Sequence, residues 1–184
     1  MTILNPIRTL FNEKGELDYG EGVTQLAHAL QCAYLAEKSQ QTPAFITACL
    51  LHDIGHFITP SEALPEADYA HEKIGAQWLK DYFSADVTAP ITLHVEAKRY
   101  LCAVDASYRK SLSDASHHSL QLQGGQMSLK EVSDFQARKY NKQACLLRQY
   151  DDLAKETDCQ TPSLDYFIET YVAPSLKEKS LRHF

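Results

Sequence analysis

Apolar positions recur at three- and four-residue spacing along nearly the whole chain, which is the signature of amphipathic helices. Ile3, Leu4, Ile7, Leu10 and Phe11 predict a helix over 3–12, followed by a turn at Asn12 to Gly15. Leu17 to Gly22 reads as a short loop holding Gly20 and Gly22. Val23, Leu26, Ala27, Leu30, Ala33 and Tyr34 predict a second helix, with His28 on or beside its apolar stripe. Thr42 is a cap and Pro43 a first helical residue for a third helix. That helix is almost uniformly apolar from Ala44 to Leu51 and then meets His52, Asp53 and, one turn on, His56. Residues 57–69 hold two prolines and several acids and predict a surface loop. Ala70, Ile74, Trp78, Leu79, Tyr82 and Phe83 mark the next helix, with His71 at its start. Another begins around Pro90 and carries His94 and Lys98, four apart and therefore on one side.

Further along, Ser107 to Ser116 predicts a short helix and a turn, with His117 and His118 as exposed turn residues. Residues 120–125 are too short a stretch to assign. Ser128 to Ala137 carries a capping box, Ser128 with Glu131. Tyr140 to Lys155 is a helix on which Arg148 and Asp151, three apart, share a face. Ser163 to Val172 closes the fold, Pro174 interrupts it, and a charged tail containing His183 follows. Alternating patterns are nearly absent, and there is no repeat, low-complexity tract or linker. The expectation is one all-α domain over residues 1–184, a helical bundle with functional side chains converging from separate helices.

Composition changes this picture little: 44% hydrophobic and 23% charged residues describe a globular chain with room for a core. The net charge of −6 supplies no global basic field for nucleic acid or a membrane surface. A local cluster of Lys and Arg can still hold a small anion. The N-terminus shows no basic segment followed by an apolar signal core, and no apolar run approaches the roughly 20 residues of a membrane helix. Five cysteines, at 32, 49, 102, 145 and 159, show no C-x-x-C spacing and are read as buried free thiols of a reducing cytoplasm.

The chemistry lies in four helical histidines and two aspartates. Buried nitrogen and carboxylate groups side by side are costly unless a partner or a metal satisfies them. A single His–Asp pair is as well explained by a hydrogen bond at a helix end; four His and two Asp are better explained by a metal centre. His28, His52, Asp53 and Asp151 would fill one site, and a bridging Asp53 with His71 and His94 a second. Two ions sharing a carboxylate lie about 3.5–4 Å apart. An all-nitrogen and oxygen set suits iron or manganese better than structural zinc. Lys98 and Arg148 add two cations that suit a phosphoryl or phosphonyl group. His56 is a hydrogen-bonding neighbour of the ligands or a proton donor.

His28, His52-Asp53 and Asp151 resemble the H…HD…D signature of HD-domain metal-dependent phosphohydrolases, and the added His71 and His94 are similar to its two-metal branch. The stretch from Leu17 through His28 to Tyr34, His71-Glu72-Lys73-Ile74-Gly75-Ala76, His94 to Leu101, Leu112 to Ser116 and Gln123 to Met127 resemble the phosphonate-degrading HD-domain oxygenases, relatives of inositol oxygenase. That resemblance covers nearly the whole chain. It implies a mixed-valence Fe(II)/Fe(III) pair that uses O2 to cleave the carbon–phosphorus bond of a 1-hydroxy-2-aminoethylphosphonate, with a primary or trimethylated amine. The products would be phosphate and glycine or glycine betaine. It implies His28, His52, Asp53 and Asp151 as ligands of one iron and Asp53, His71 and His94 of the other. Lys98, Ser116 and Arg148, with Ser119 and His56, would bind the phosphonate. Glu21 would meet the substrate amine, and Tyr19 would occupy an iron when substrate is absent. One departure from the family is that only Gly20 separates Tyr19 from Glu21, where the family has two residues.

Two other readings use the same ligands. One is an HD-domain phosphohydrolase acting on a nucleotide or phosphomonoester, which would need no O2. The other is a sensor in which the metal site binds a metabolite without turnover.

Overall fold

A computed structural model describes residues 3–59 and 70–178. Among the described residues the chain is all α-helical. Two isolated bridges, Asp18 with Thr24 and Phe83 with Leu176, are the only β pairing among these residues. The loop expected at 57–69 falls largely outside the described residues, as does His183; Phe57 and Ile58 belong to a helix.

The centre is α3, Pro43–Leu51, started by Thr42, whose hydroxyl accepts from the Phe45 amide. Every side chain from Phe45 to Leu51 is buried. A helix apolar on all sides has to lie inside the protein. It packs against α2 (Gln25–Lys38), α6 (Ala85–Val104), α10 (Asn141–Leu153) and a π-helical turn, Ile168–Val172, that follows the short α11, Leu164–Phe167. Ile7 and Phe11 of α1, Leu4–Lys14, join the same core. α1 continues through Lys14, so the turn expected from Asn12 begins later; the Lys14 ammonium donates to the Phe57 carbonyl.

α3 does not carry the His–Asp pair. It stops at Leu51, and His52 and Asp53 form a turn into α4, Ile54–Ile58. Asp53 leaves helical geometry with φ −100° and ψ 7°. In an unbroken helix adjacent side chains would diverge by about 100°. α4 then packs on α5, His71–Leu79, at very short range: a Cβ on Gly55 would sit 2.0 Å from the His71 carbonyl oxygen. Only glycine permits that approach.

α6 begins at Ala85, capped by Ser84, not at Pro90. Pro90 sits inside it as its sixth residue, where the one helical bond its ring removes is tolerated. α7 spans Ala106–Ser111 and α8 spans Asp114–Leu122. His117 and His118 therefore lie on a helix, the first half-buried and the second exposed, not in a turn. Ser113 caps α8, whose buried residues are Ser116 and Leu120; Leu112, in the extended link before the cap, is buried with Leu120. Both hydrogen bonds of the capping box at Ser128 and Glu131 are present at the start of α9, Leu129–Gln136. All five cysteines are free; Cys32, Cys49 and Cys102 are buried, whereas Cys145 and Cys159 are half-buried.

Candidate metal centre and anion pocket

Six ligand-type side chains from four helices and one turn meet at the centre of the bundle. His28, His52 and Asp151 form one group and Asp53, His71 and His94 another, each with ligand atoms within 4.8 Å of one another. Asp53 faces both. Its Oδ2 lies 3.3 Å from His52 Nε2 and 3.8 Å from His28 Nε2, while Oδ1 lies 3.2 Å from His71 Nε2 and 3.7 Å from His94 Nε2. Asp151 closes the first group, its Oδ1 3.5 Å from His28 Nε2.

The tautomers are set from behind. Nδ1 of His28, His52 and His94 each lies 2.8–2.9 Å from a backbone carbonyl, of Ala154, Cys49 and Ile91 respectively. A carbonyl can only accept, so Nδ1 carries the proton and Nε2 presents its lone pair inward. Yet His28 Nε2 and His52 Nε2 lie 3.2 Å apart, and His71 Nε2 and His94 Nε2 3.1 Å apart. At His28 and His52 two lone pairs aimed at one point repel unless a proton or cation lies between them. Burial pushes the imidazolium of His94 well down, with His71 adding to the effect, and burial likewise lowers His28. Burial works against the His52 imidazolium as well, but Asp53 beside it overrides that and raises the group, so the excess charge of the cluster falls on His52; the all-nitrogen and oxygen donor set fits a pair of metal cations.

Electrostatics keep the acids ionised. Burial alone would raise Asp151; the Arg148 guanidinium overrides it and holds the carboxyl well below the usual range. Burial likewise works against the Asp53 carboxylate, and His52 and His71 hold it low instead.

Above the ligands opens a cavity of about 310 Å³. Its lining includes Tyr19, Glu21, His56, Lys98, Ser116, Ser119 and Arg148 beside Asp53, His71, His94 and Asp151. Lys98 and Arg148 are both buried, at 2% and 5% exposure, which an ordinary surface salt bridge would not explain. Lys98 donates to Ser119 Oγ at 2.8 Å, and burial, with Arg148 nearby, lowers its pKa from 10.5 to about 8. Arg148 donates to Asp151 at 2.6 Å, to Ser116 Oγ at 3.3 Å and to Asp152. Tyr19 stacks on His28 with ring centres 3.8 Å apart and donates to Asp151 Oδ1 at 3.1 Å. His56, exposed, stacks on His71 at 4.0 Å. Glu21 is carried between Gly20 and Gly22, both at positive φ, 96° and 80°. Its carboxylate accepts from Ser113 Oγ and pairs with Lys155 at 2.8 Å.

Lys155, Ser113, Asp152 and Tyr108 join the site without having stood out in the sequence. Asp152 was within reach as the i+4 partner of Arg148. Tyr108, which donates to Asp152 at 2.6 Å, and Lys155, beyond the end of α10, carry no local signal.

An all-helical bundle whose His and Asp residues converge as two groups facing one carboxylate has the donor set to hold a pair of metal ions. A family model described as the HD domain matches residues 26–150. The hydroxymethylphosphonate dioxygenase of Gimesia maris is 47% identical over 163 residues, covering 86% of this chain and 81% of that protein. The glycine-betaine-forming [1-hydroxy-2-(trimethylamino)ethyl]phosphonate dioxygenase of Leisingera caerulea is 40% identical over 169 residues, covering 90% and 86%. The chain belongs to the HD-domain family and, within it, to the phosphonate dioxygenases. Among the described residues no helix is long and apolar enough to cross a membrane.

Proposed function

We propose that the chain is a mixed-valence di-iron oxygenase that uses O2 to cleave the carbon–phosphorus bond of a 1-hydroxyphosphonate, all 184 residues acting as one domain. One observation carries the reading. Asp53 turns one carboxylate oxygen to each of two histidine groups, beneath a cavity whose wall holds two buried cations. His28, His52 and Asp151 would hold one iron, His71 and His94 the other, and Asp53 both. The irons would supply Lewis acidity toward the substrate hydroxyl and the redox capacity for O2.

The protein's part is binding and orientation. Lys98 and Arg148 grip the phosphonate oxygens by charge-assisted hydrogen bonds, with Ser116 and Ser119 as neutral donors. That grip sets the hydroxylated carbon toward the ligand cluster. Tyr19, flat on His28 and bonded to Asp151, covers that group until substrate enters. His56, stacked on His71, is placed to exchange a proton with solvent. The reaction balances without further reagents: a 1-hydroxyphosphonate and O2 give a carboxylate and inorganic phosphate. An aminoethyl substrate, the kind the sequence resemblance implies and the Leisingera relative's name carries in trimethylated form, gives glycine or glycine betaine. Hydroxymethylphosphonate, the substrate in the Gimesia relative's name, gives formate. Five free thiols suit a reducing cytoplasm.

The test is to load the protein with iron, add each phosphonate under argon and then admit 18O2. Phosphate should appear only after O2, with one labelled oxygen in the carboxylate. Equal phosphate release under argon, or label arriving only from water, would leave the phosphohydrolase as the better reading.

A further inference from the structure

We propose that Lys155 is a specificity-determining residue: its ammonium takes the place of a substrate amine against Glu21 and directs the enzyme to 1-hydroxyalkylphosphonates that carry no amine. The inference deepens the carbon–phosphorus cleavage reading and rests on it.

Lys155 is not a loose surface lysine. α10 ends at Leu153, and the backbone on both sides of Lys155 is pinned by two side chains of α2. His28 Nδ1 bonds the Ala154 carbonyl at 2.9 Å. The Gln31 side-chain amide donates to the Glu156 carbonyl at 2.9 Å and accepts from the Glu156 amide at 3.0 Å. Gln31 is itself buried, so this clamp is built into the bundle. From that fixed point the ammonium reaches Glu21 Oε2 at 2.8 Å and Ser116 Oγ at 3.4 Å. The side chains of Lys155 and Glu21 are only 14% and 13% exposed, so water screens the pair weakly.

Each oxygen of the Glu21 carboxylate already serves a donor of this chain, Ser113 on one and Lys155 on the other. The neighbouring carboxylates of Asp151 and Asp152 are both bonded to Arg148. A substrate ammonium entering here must therefore take Glu21 from Lys155. Lys155 would then be left charged beside Ser116, which Arg148 touches from its other side at 3.3 Å. Two like charges would share a partly buried wall with one counter-ion fewer. A phosphonate without an amine disturbs none of this. Specificity here comes from a charge set against the wrong substrate as much as from contacts with the right one.

The test compares hydroxymethylphosphonate with 1-hydroxy-2-aminoethylphosphonate on the iron-loaded protein. Kd is measured anaerobically by calorimetry and kcat/KM with O2, for the parent chain, Lys155→Met and Lys155→Arg. The parent should prefer hydroxymethylphosphonate by at least about tenfold in both measures, roughly 1.4 kcal/mol. Lys155→Met should shrink or invert that preference by at least about tenfold, because Glu21 is then free to meet an amine. Lys155→Arg should keep it, which a merely structural role would not predict from the charge. Should Lys155→Met fail to fold, Lys155→Gln removes the charge and keeps a hydrogen bond to Glu21. A parent that prefers the aminated substrate, or a preference unchanged in the neutral variants, overturns the proposal. The binding arm needs no turnover: discrimination with no phosphate released would refute the reaction reading alone, and binding of neither phosphonate would overturn both.

Discussion

Replacing Lys98 by methionine should make the protein more stable and less able to bind its substrate. The side chain is 2% exposed, and among the described residues its ammonium has one hydrogen bond, to Ser119. Burial, with the Arg148 charge close by, lowers its pKa from 10.5 to about 8. That displacement corresponds to about 3 kcal/mol of disfavoured charge at neutral pH. Methionine keeps the stem and its packing, removes the charge and leaves the half-buried Ser119 hydroxyl short of one donor, a cost of about 1 kcal/mol. The net expectation is a gain of about 1–2 kcal/mol. The sign can be tested with pH. Between about pH 8 and 10.5 the unfolded chain keeps the lysine proton and the folded chain has lost it, so the stability of the parent should rise through that window. The variant should lack that rise. Binding moves the other way: one charge-assisted bond to a phosphonate oxygen is worth about 1.5–3 kcal/mol, so Kd should weaken roughly ten- to a hundredfold. Urea unfolding at several pH values and anaerobic calorimetry with hydroxymethylphosphonate measure the two effects, with iron content as a control. A variant that is less stable than the parent refutes the burial argument. Unchanged affinity removes Lys98 from the anion site.

Asp53→Ala should strip both metals, because one carboxylate faces both histidine groups; retention of two irons per chain by elemental analysis would show that it does not bridge. Gly55→Ala puts a Cβ 2.0 Å from the His71 carbonyl oxygen, which must push α5 off α4. We expect a loss above about 2 kcal/mol in thermal unfolding together with selective loss of the iron at His71 and His94; a protein with normal stability and full iron would mean that the close approach is not needed.

Much of the centre is legible in the amino-acid sequence. A helix apolar on every side, ending in His52 and Asp53, has to be internal, and internal ligands need a counter-charge. His28, His71, His94 and Asp151 sit in segments of clear helical period, so their carriers can be named even though their meeting point cannot. The segments read less well are those where local signals compete. Pro90 looks like a helix start, but Ser84 caps α6 well before it and tertiary packing tolerates the lost bond. α8 is short and ends near two glycines, so its buried pair, Ser116 and Leu120, is too brief to separate from a turn.

What the chain by itself determined is the inventory: which donors are present, which helices carry them, and that the set is all nitrogen and oxygen with two cations to spare. What only the tertiary structure decided is pairing. The break at Asp53 turns one carboxylate to both histidine groups. Gly55 lets α5 approach closely enough to deliver His71. Gln31 pins the stretch of backbone that sets Lys155 against Glu21. Each of these joins residues from separate elements, and periodicity reports only which side of its own helix a residue faces. Which distant charge it meets there is fixed by the packing of whole helices around α3.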